Sequence, residues 1–108
     1  MARPRVYIVN QAGHDFSEAQ KFGDLVSITE GNINVFRPDR SLFTIKASLS
    51  TFAENDYLLL SGNTFGNALA AIQVASQVDM LNVLVYDAKN QKYLHHKLDI
   101  KRMLFKRS

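Results

Sequence analysis

The segment VYIVNQAGHDFSEAQKFG, residues 6–23, contains the pattern that decides the fold. Its first part is rich in β-branched and aromatic residues, which is typical of a buried strand, and we expect this strand over residues 5–10. Asp15 follows a polar loop, and Glu18 three residues later completes the pattern of a capping box at a helix start. Gly23 suits the position just after a helix, where a left-handed conformation is common. The segment therefore predicts a strand, a loop and a helix of about two turns.

The rest of the chain continues this alternation. One apolar stripe at helical spacing consists of Leu42, Ile45, Leu49 and Phe52. We expect further helices over residues 38–52 and 64–78. We expect further strands over residues 24–29, 56–62, 81–87 and 91–98. The last of these follows a short turn and should run antiparallel to its neighbour.

The order β-α-β-α-β-α-β-β favours a mainly parallel sheet with helices on both faces. The predicted fold class is therefore α/β: a compact Rossmann-like three-layer domain, with about four parallel strands and an antiparallel edge strand. An α+β sandwich is the alternative, if residues 32–37 and 43–51 form strands.

Composition indicates one small soluble domain. The chain has 108 residues, of which 46% are hydrophobic, and we divide it into an α/β domain over residues 1–98 and a basic tail over residues 99–108. The segment KLDIKRMLFKRS at the end holds most of the excess positive charge. There is no cysteine, which excludes disulfides and thiol chemistry and favours a cytoplasmic location. No apolar run approaches the length that a membrane span needs, so we expect no contact with membranes.

Three predicted strands end in loops that combine glycine and asparagine. Because the carboxyl ends of parallel strands meet at one edge of a sheet, we expect these loops to lie side by side and to form a ligand site. Helix N-termini at this edge suit an anionic small molecule such as a nucleotide. The predicted binding residues are Asn10, Gly13, His14, Asp15, Glu30, Gly31, Asn32, Ser61, Gly62, Asn63 and Thr64. The alternative is that these residues serve only turns and helix caps.

Catalysis has a weaker basis in the sequence than binding. His14 is the best candidate for a general acid or base, and Glu30 on the next loop is its best partner. No nucleotide-binding or nucleophile motif is present, so we expect a binding protein rather than an enzyme, without a cofactor. Adjacent His95 and His96 point to opposite faces of a strand, and we predict no metal site.

A structural or interaction protein is the alternative function. The edge strand with Tyr93 and His95, or the apolar side of the tail, would then contact a partner or a second copy in a homo-oligomer. The tail is also a candidate for weak nucleic-acid contact. The basic residues proposed for that contact are Lys101, Arg102, Lys106 and Arg107.

Overall fold

A computed structural model of the chain describes residues 3–104 except 32, 34, 35 and 38. The elements in chain order are β1 (Arg5–Asn10), a 3₁₀ helix (Ser17–Lys21), β2 (Asp24–Thr29), α1 (Asp39–Leu49), β3 (Tyr57–Leu59), α2 (Thr64–Ala75), β4 (Met80–Asp87), β5 (Lys92–Asp99) and α3 (Ile100–Leu104). Asn32, Lys106 and Arg107, which were predicted to contact ligands, lie outside the described residues, and so does residue 38, at which the second helix was predicted to begin.

The five strands form one sheet in the order β2-β1-β3-β4-β5. The first four strands in this order are parallel, and β5 pairs antiparallel with β4. The predicted α/β class, with a mainly parallel sheet and an antiparallel edge strand, is therefore confirmed. The α+β sandwich is wrong, because residues 43–49, which it needed as a strand, belong to α1.

The two faces of the sheet are covered unequally. On one face α1 and α2 pack over the strands through a large core that includes Ile45, Leu49 and Val74. Leu42, in the first turn of α1, is outside this core and is 46% exposed. On the other face the only helical cover within the described residues is the 3₁₀ helix, whose Ala19 joins a smaller core. The members of the smaller core are Val6, Ile8, Phe16, Ala19, Leu59, Leu84 and Tyr93.

The segment after β1 differs from the prediction in two respects. Asp15 accepts a hydrogen bond from the Ser17 backbone N–H at 2.9 Å, which makes a local turn instead of capping a two-turn α-helix. The short 3₁₀ helix follows this turn, and Phe16 at its N-cap position makes no side-chain cap. Gly23 is not in the left-handed region. Glycine is needed there because a Cβ atom would overlap the backbone carbonyl of Pro4.

The start of α2 agrees with the prediction. Asn63 is the N-cap, and its side-chain oxygen accepts a hydrogen bond from the Gly66 backbone N–H at 2.9 Å. The helix ends at Ala75, three residues before the predicted end. Within the described part of the chain, every helix is too short or too polar to cross a membrane.

The predicted tail begins inside the folded domain. β5 reaches Asp99, whose side chain accepts a hydrogen bond from the Arg102 backbone N–H at 3.0 Å at the start of α3. Ile100 is buried in the larger core, and its N–H donates to the Asp79 carbonyl at 2.8 Å. The first residues of the tail are thus held by the sheet.

Candidate functional site

The loops after β1, β2 and β3 meet at Asn10. Its side-chain amide donates to the Gly31 carbonyl at 2.7 Å and to the Thr29 hydroxyl at 3.0 Å. Its side-chain oxygen accepts a hydrogen bond from the Asn63 N–H at 3.4 Å. The expectation that these three loops lie side by side is therefore confirmed.

A second set of hydrogen bonds holds the loop after β3. The Ser61 hydroxyl donates to the Asn10 carbonyl at 2.8 Å and accepts from the Asn10 N–H at 3.3 Å. Asn67, on the first turns of α2, donates from its side chain to the carbonyls of Ser61 and Asn63, both at 2.9 Å. Its side-chain oxygen accepts from the Ser61 N–H at 3.0 Å. We call Asn10, Thr29, Gly31, Ser61, Asn63 and Asn67 the strand-end junction.

Four residues of the strand-end junction were predicted to bind a ligand, and they are Asn10, Gly31, Ser61 and Asn63. Asn10 is 3% exposed, and both ends of its side chain are hydrogen-bonded within the protein. Asn63 caps α2 with its side-chain oxygen. These two side chains therefore position the loops. Asn67 was missed, because a single asparagine inside an Ala-rich helix has no distinctive pattern.

Glycine is required beside the strand-end junction. Gly62 has a φ of 67°, which is in the left-handed region that glycine adopts readily. A Cβ atom there would also overlap the Asn10 side chain. The backbone of the β3 loop thus lies directly against the residue that joins the three loops.

A cleft of about 420 Å³ opens next to the strand-end junction. It lies between the loop after β1, the loop after β3 and the hairpin that joins β4 to β5. We call it the aromatic cleft, and its lining residues are His14, Asp15, Phe16, Glu18, Leu60, Ser61, Gly62, Val85, Tyr86, Gln91 and Tyr93.

The predicted binding residues divide between two places. Four of them, His14, Asp15, Ser61 and Gly62, line the aromatic cleft. The others that the structure describes do not line it, and they are Asn10, Gly13, Glu30, Gly31, Asn63 and Thr64.

Three aromatic side chains give the cleft its shape. Phe16 and Tyr93 belong to the smaller core and are 7% and 9% exposed, whereas Tyr86 is 48% exposed; all three line the cleft. The rings of Tyr86 and Tyr93 are 5.1 Å apart between centroids, and the ring planes are inclined by 59°. His14 contacts the edge of Phe16 with 6.2 Å between ring centroids. A flat or alkyl-rich ligand group would find apolar contact here.

Fixed charge in the aromatic cleft is negative. Asp15 and Glu18 line it, and the described lining contains no lysine or arginine. The hydrogen bond from the Ser17 backbone N–H lowers the pKa of Asp15. This carboxylate therefore stays ionised at a lower pH than an ordinary aspartate does. Burial raises the pKa of Tyr93, and the nearby Tyr86, Asp15 and Glu18 add to that rise.

The Tyr93 hydroxyl is the accessible tip of a largely buried residue that lines the cleft. Among the residues that the structure describes, it has no hydrogen-bond partner. It can therefore bond to a ligand atom or to water in the cleft.

The catalytic candidates are not brought together in the cleft. His14 faces it, whereas Glu30 lies on the loop after β2 and is absent from the lining. Within residues 3–104, apart from the four gaps, no three His, Asp or Glu side chains are arranged to hold a metal ion. Lys101 and Arg102 are exposed on α3, and Lys101 borders a separate recess beside the C-terminal end of α2.

These features define a small α/β domain with an aromatic, acidic cleft at the carboxyl ends of its parallel strands. The family model described as Phage Pam3 gp32-like protein matches residues 4–100, and the chain belongs to this family. No curated protein matches the chain, and no solved structure matches it.

Proposed function

We propose that the protein is a small-molecule-binding domain whose site is the aromatic cleft. The observation that carries this proposal is the position of the cleft beside the carboxyl ends of β1 and β3. From β1 the chain crosses to β2 on one side, and it then returns to β3 on the other side. Open α/β sheets bind ligands in the crevice at such a reversal of strand order.

The sequence predicts an anionic ligand such as a nucleotide, and this stays part of the proposal. Because no lysine or arginine lines the described cleft, an anionic group would rely on backbone N–H groups at the start of α2, next to Gly62. The rest of the ligand would pack against Tyr86 and Phe16. Asn10 would act indirectly, by holding the loops.

Calorimetric titration with adenosine monophosphate, adenosine and inorganic phosphate tests this proposal. We expect the nucleotide to bind, and Tyr86→Ala to weaken binding about tenfold through loss of ring contact. Phe43→Ala is the matched control, because Phe43 is 73% exposed on α1 and does not line the cleft. Binding that is equally strong in the wild type and in Tyr86→Ala would place the ligand elsewhere.

We propose binding rather than catalysis, in a cytoplasmic protein without a cofactor. His14 is the lining residue best suited to general acid–base chemistry, but the acidic partner proposed for it does not line the cleft. The proposal of catalysis by His14 and Glu30 therefore has little support.

An interaction protein is the second proposal, and exposed apolar side chains favour it. Phe43 on α1 and Ile72 on α2 are 73% and 70% exposed. β5 is the last strand of the sheet, so one row of its backbone groups is available for pairing. The protein would then work by self-assembly or by binding a partner on its surface. Lys101 and Arg102 would in addition contact nucleic acid. Light scattering over a concentration series tests it, and a monomeric mass throughout would exclude self-assembly.

A further inference from the structure

The aromatic cleft combines three features that favour a positively charged ligand group. Two carboxylates, Asp15 and Glu18, line it, and the described lining has no lysine or arginine to neutralise them. Tyr86 and Tyr93 bring two aromatic rings together in the same cleft. Aromatic faces attract cations through the ring quadrupole, and this attraction is stronger where water is excluded.

The Tyr93 hydroxyl adds a hydrogen-bonding group to the cleft. It is accessible to solvent, whereas the rest of the residue is largely buried, and no described residue hydrogen-bonds to it. Its oxygen can accept a hydrogen bond from an ammonium or guanidinium group. A cationic group would therefore meet two carboxylates, two aromatic rings and one free acceptor in a single cleft.

We infer that the aromatic cleft binds an organic cation, which is an alkylammonium or guanidinium group. The cation would have the pair of tyrosine rings, Tyr86 and Tyr93, on one side and the carboxylates of Asp15 and Glu18 on the other. This inference rests on the proposed function for the location of the site. It assigns the group that occupies the cleft, whereas the anionic group of the proposed ligand would lie outside it, at the start of α2. The ligand would then carry both charges.

Calorimetric titration of the full chain with small probes tests this inference. The probes are choline, ethylguanidinium and the uncharged isostere of choline, in which carbon replaces the quaternary nitrogen. We expect at least one cation to bind about tenfold more tightly than the isostere, because the isostere keeps the shape but loses the charge. Equal binding of all three would overturn the inference and leave the proposed binding site intact.

Two variants connect the binding to the cleft. Tyr86→Leu removes the aromatic face and keeps an apolar side chain, and we expect cation binding to weaken about tenfold. Glu18→Gln removes one charge and should weaken cation binding while leaving binding of the isostere unchanged. The matched controls are Phe43→Leu and Asp39→Asn, at exposed positions of α1 that do not line the cleft. Cation binding that survives both cleft variants would overturn the assignment.

Two further probes show whether the cation is free or part of a lipid headgroup. They also distinguish failure of this inference from failure of the proposed function. Phosphocholine carries both charges, and tighter binding than choline would indicate an anion site next to the cleft. Phosphatidylcholine vesicles test whether the same headgroup is recognised on a lipid surface. We expect free phosphocholine to bind and vesicles not to bind, because the cleft lies between loops.

If adenosine monophosphate binds and no cation does, the inference fails and the proposed function stands. If no probe of either kind binds, both fail.

Discussion

Tyr86 and Tyr93 lie directly opposite each other in the antiparallel register of β4 and β5, with 5.1 Å between their ring centroids. The pairing brings a half-exposed ring next to a buried ring in the lining of the aromatic cleft. Cross-strand aromatic pairs of this kind stabilise an antiparallel pair of strands. The same contact thus supports the edge of the sheet and shapes the proposed site.

The two parts of the Tyr93 side chain should contribute very differently to stability. Tyr93→Ala removes a buried ring from the smaller core, and we expect it to lower the free energy of unfolding by about 3–5 kcal/mol. Tyr93→Phe removes only a hydroxyl without a described partner, and we expect a change within about 0.5 kcal/mol. Urea denaturation of the three proteins measures both values. A loss above about 1 kcal/mol in Tyr93→Phe would indicate that the hydroxyl has a protein partner.

Two glycines separate the cost of backbone strain from the cost of a steric overlap. Gly13 and Gly62 have φ values of 76° and 67°, but a Cβ atom at Gly13 would meet nothing within 4 Å, whereas at Gly62 it would overlap the Asn10 side chain. Gly13→Ala should therefore cost about 1 kcal/mol for the left-handed conformation alone. Gly62→Ala should cost about 3 kcal/mol or more, because the Asn10 amide must also move. Chemical denaturation measures the difference, and equal losses would contradict the close contact.

The convergence of the loops could be predicted from the sequence, but the cleft could not. Strand periodicity and parallel direction place Asn10, Gly31 and Gly62 at one edge of the sheet, and local sequence carries this information. The place of Tyr86 and Tyr93 in the cleft depends on the position of the β4–β5 hairpin beside β3, which is a matter of strand order. Tyr86 and Tyr93 are equally distant from the turn, so a register analysis of the hairpin would have paired them.

The helix near Asp15 was mispredicted for a local reason. Asp15 and Glu18 fit a capping box by spacing, but the Asp15 carboxylate bonds to Ser17 two residues ahead. Both acidic side chains then line the cleft, so that its fixed charge is negative. Turn chemistry and capping use the same residues, and the sequence alone does not distinguish them.

Asn10 should be the polar residue on which the strand-end junction depends most. Asn10→Ala leaves the Gly31 carbonyl and the Asn63 N–H without their partner, and we expect a loss of about 2–4 kcal/mol in the free energy of unfolding. Asn55→Ala, at an exposed turn position, is the matched control and should change stability by less than about 0.5 kcal/mol. Thermal and urea unfolding measure both. Similar small losses in both variants would show that water replaces the Asn10 side chain without cost.

The hairpin turn next to the cleft gives a pH-dependent prediction. Asp87 accepts hydrogen bonds from the Asn90 side chain at 2.7 Å and from the Lys89 and Asn90 backbone N–H groups at 3.1 and 3.3 Å. These bonds, that of the Asn90 side chain first, hold the pKa of Asp87 below the ordinary value of an aspartate carboxyl group. A carboxylate with a lowered pKa stabilises the fold fully above its unfolded pKa, and this contribution is lost as the pH falls through the folded pKa.

The variant Asn90→Ala tests the cause of that shift. It should raise the pKa of Asp87 towards the ordinary value, as measured by NMR titration of the carboxyl carbon. The stability difference between the wild type and Asn90→Ala should then be largest near neutral pH and should shrink as the pH falls below about 4. Asn55→Ala is again the control, since it leaves the turn intact. An Asp87 pKa that is the same in the wild type and in Asn90→Ala would show that the backbone N–H groups alone cause the shift.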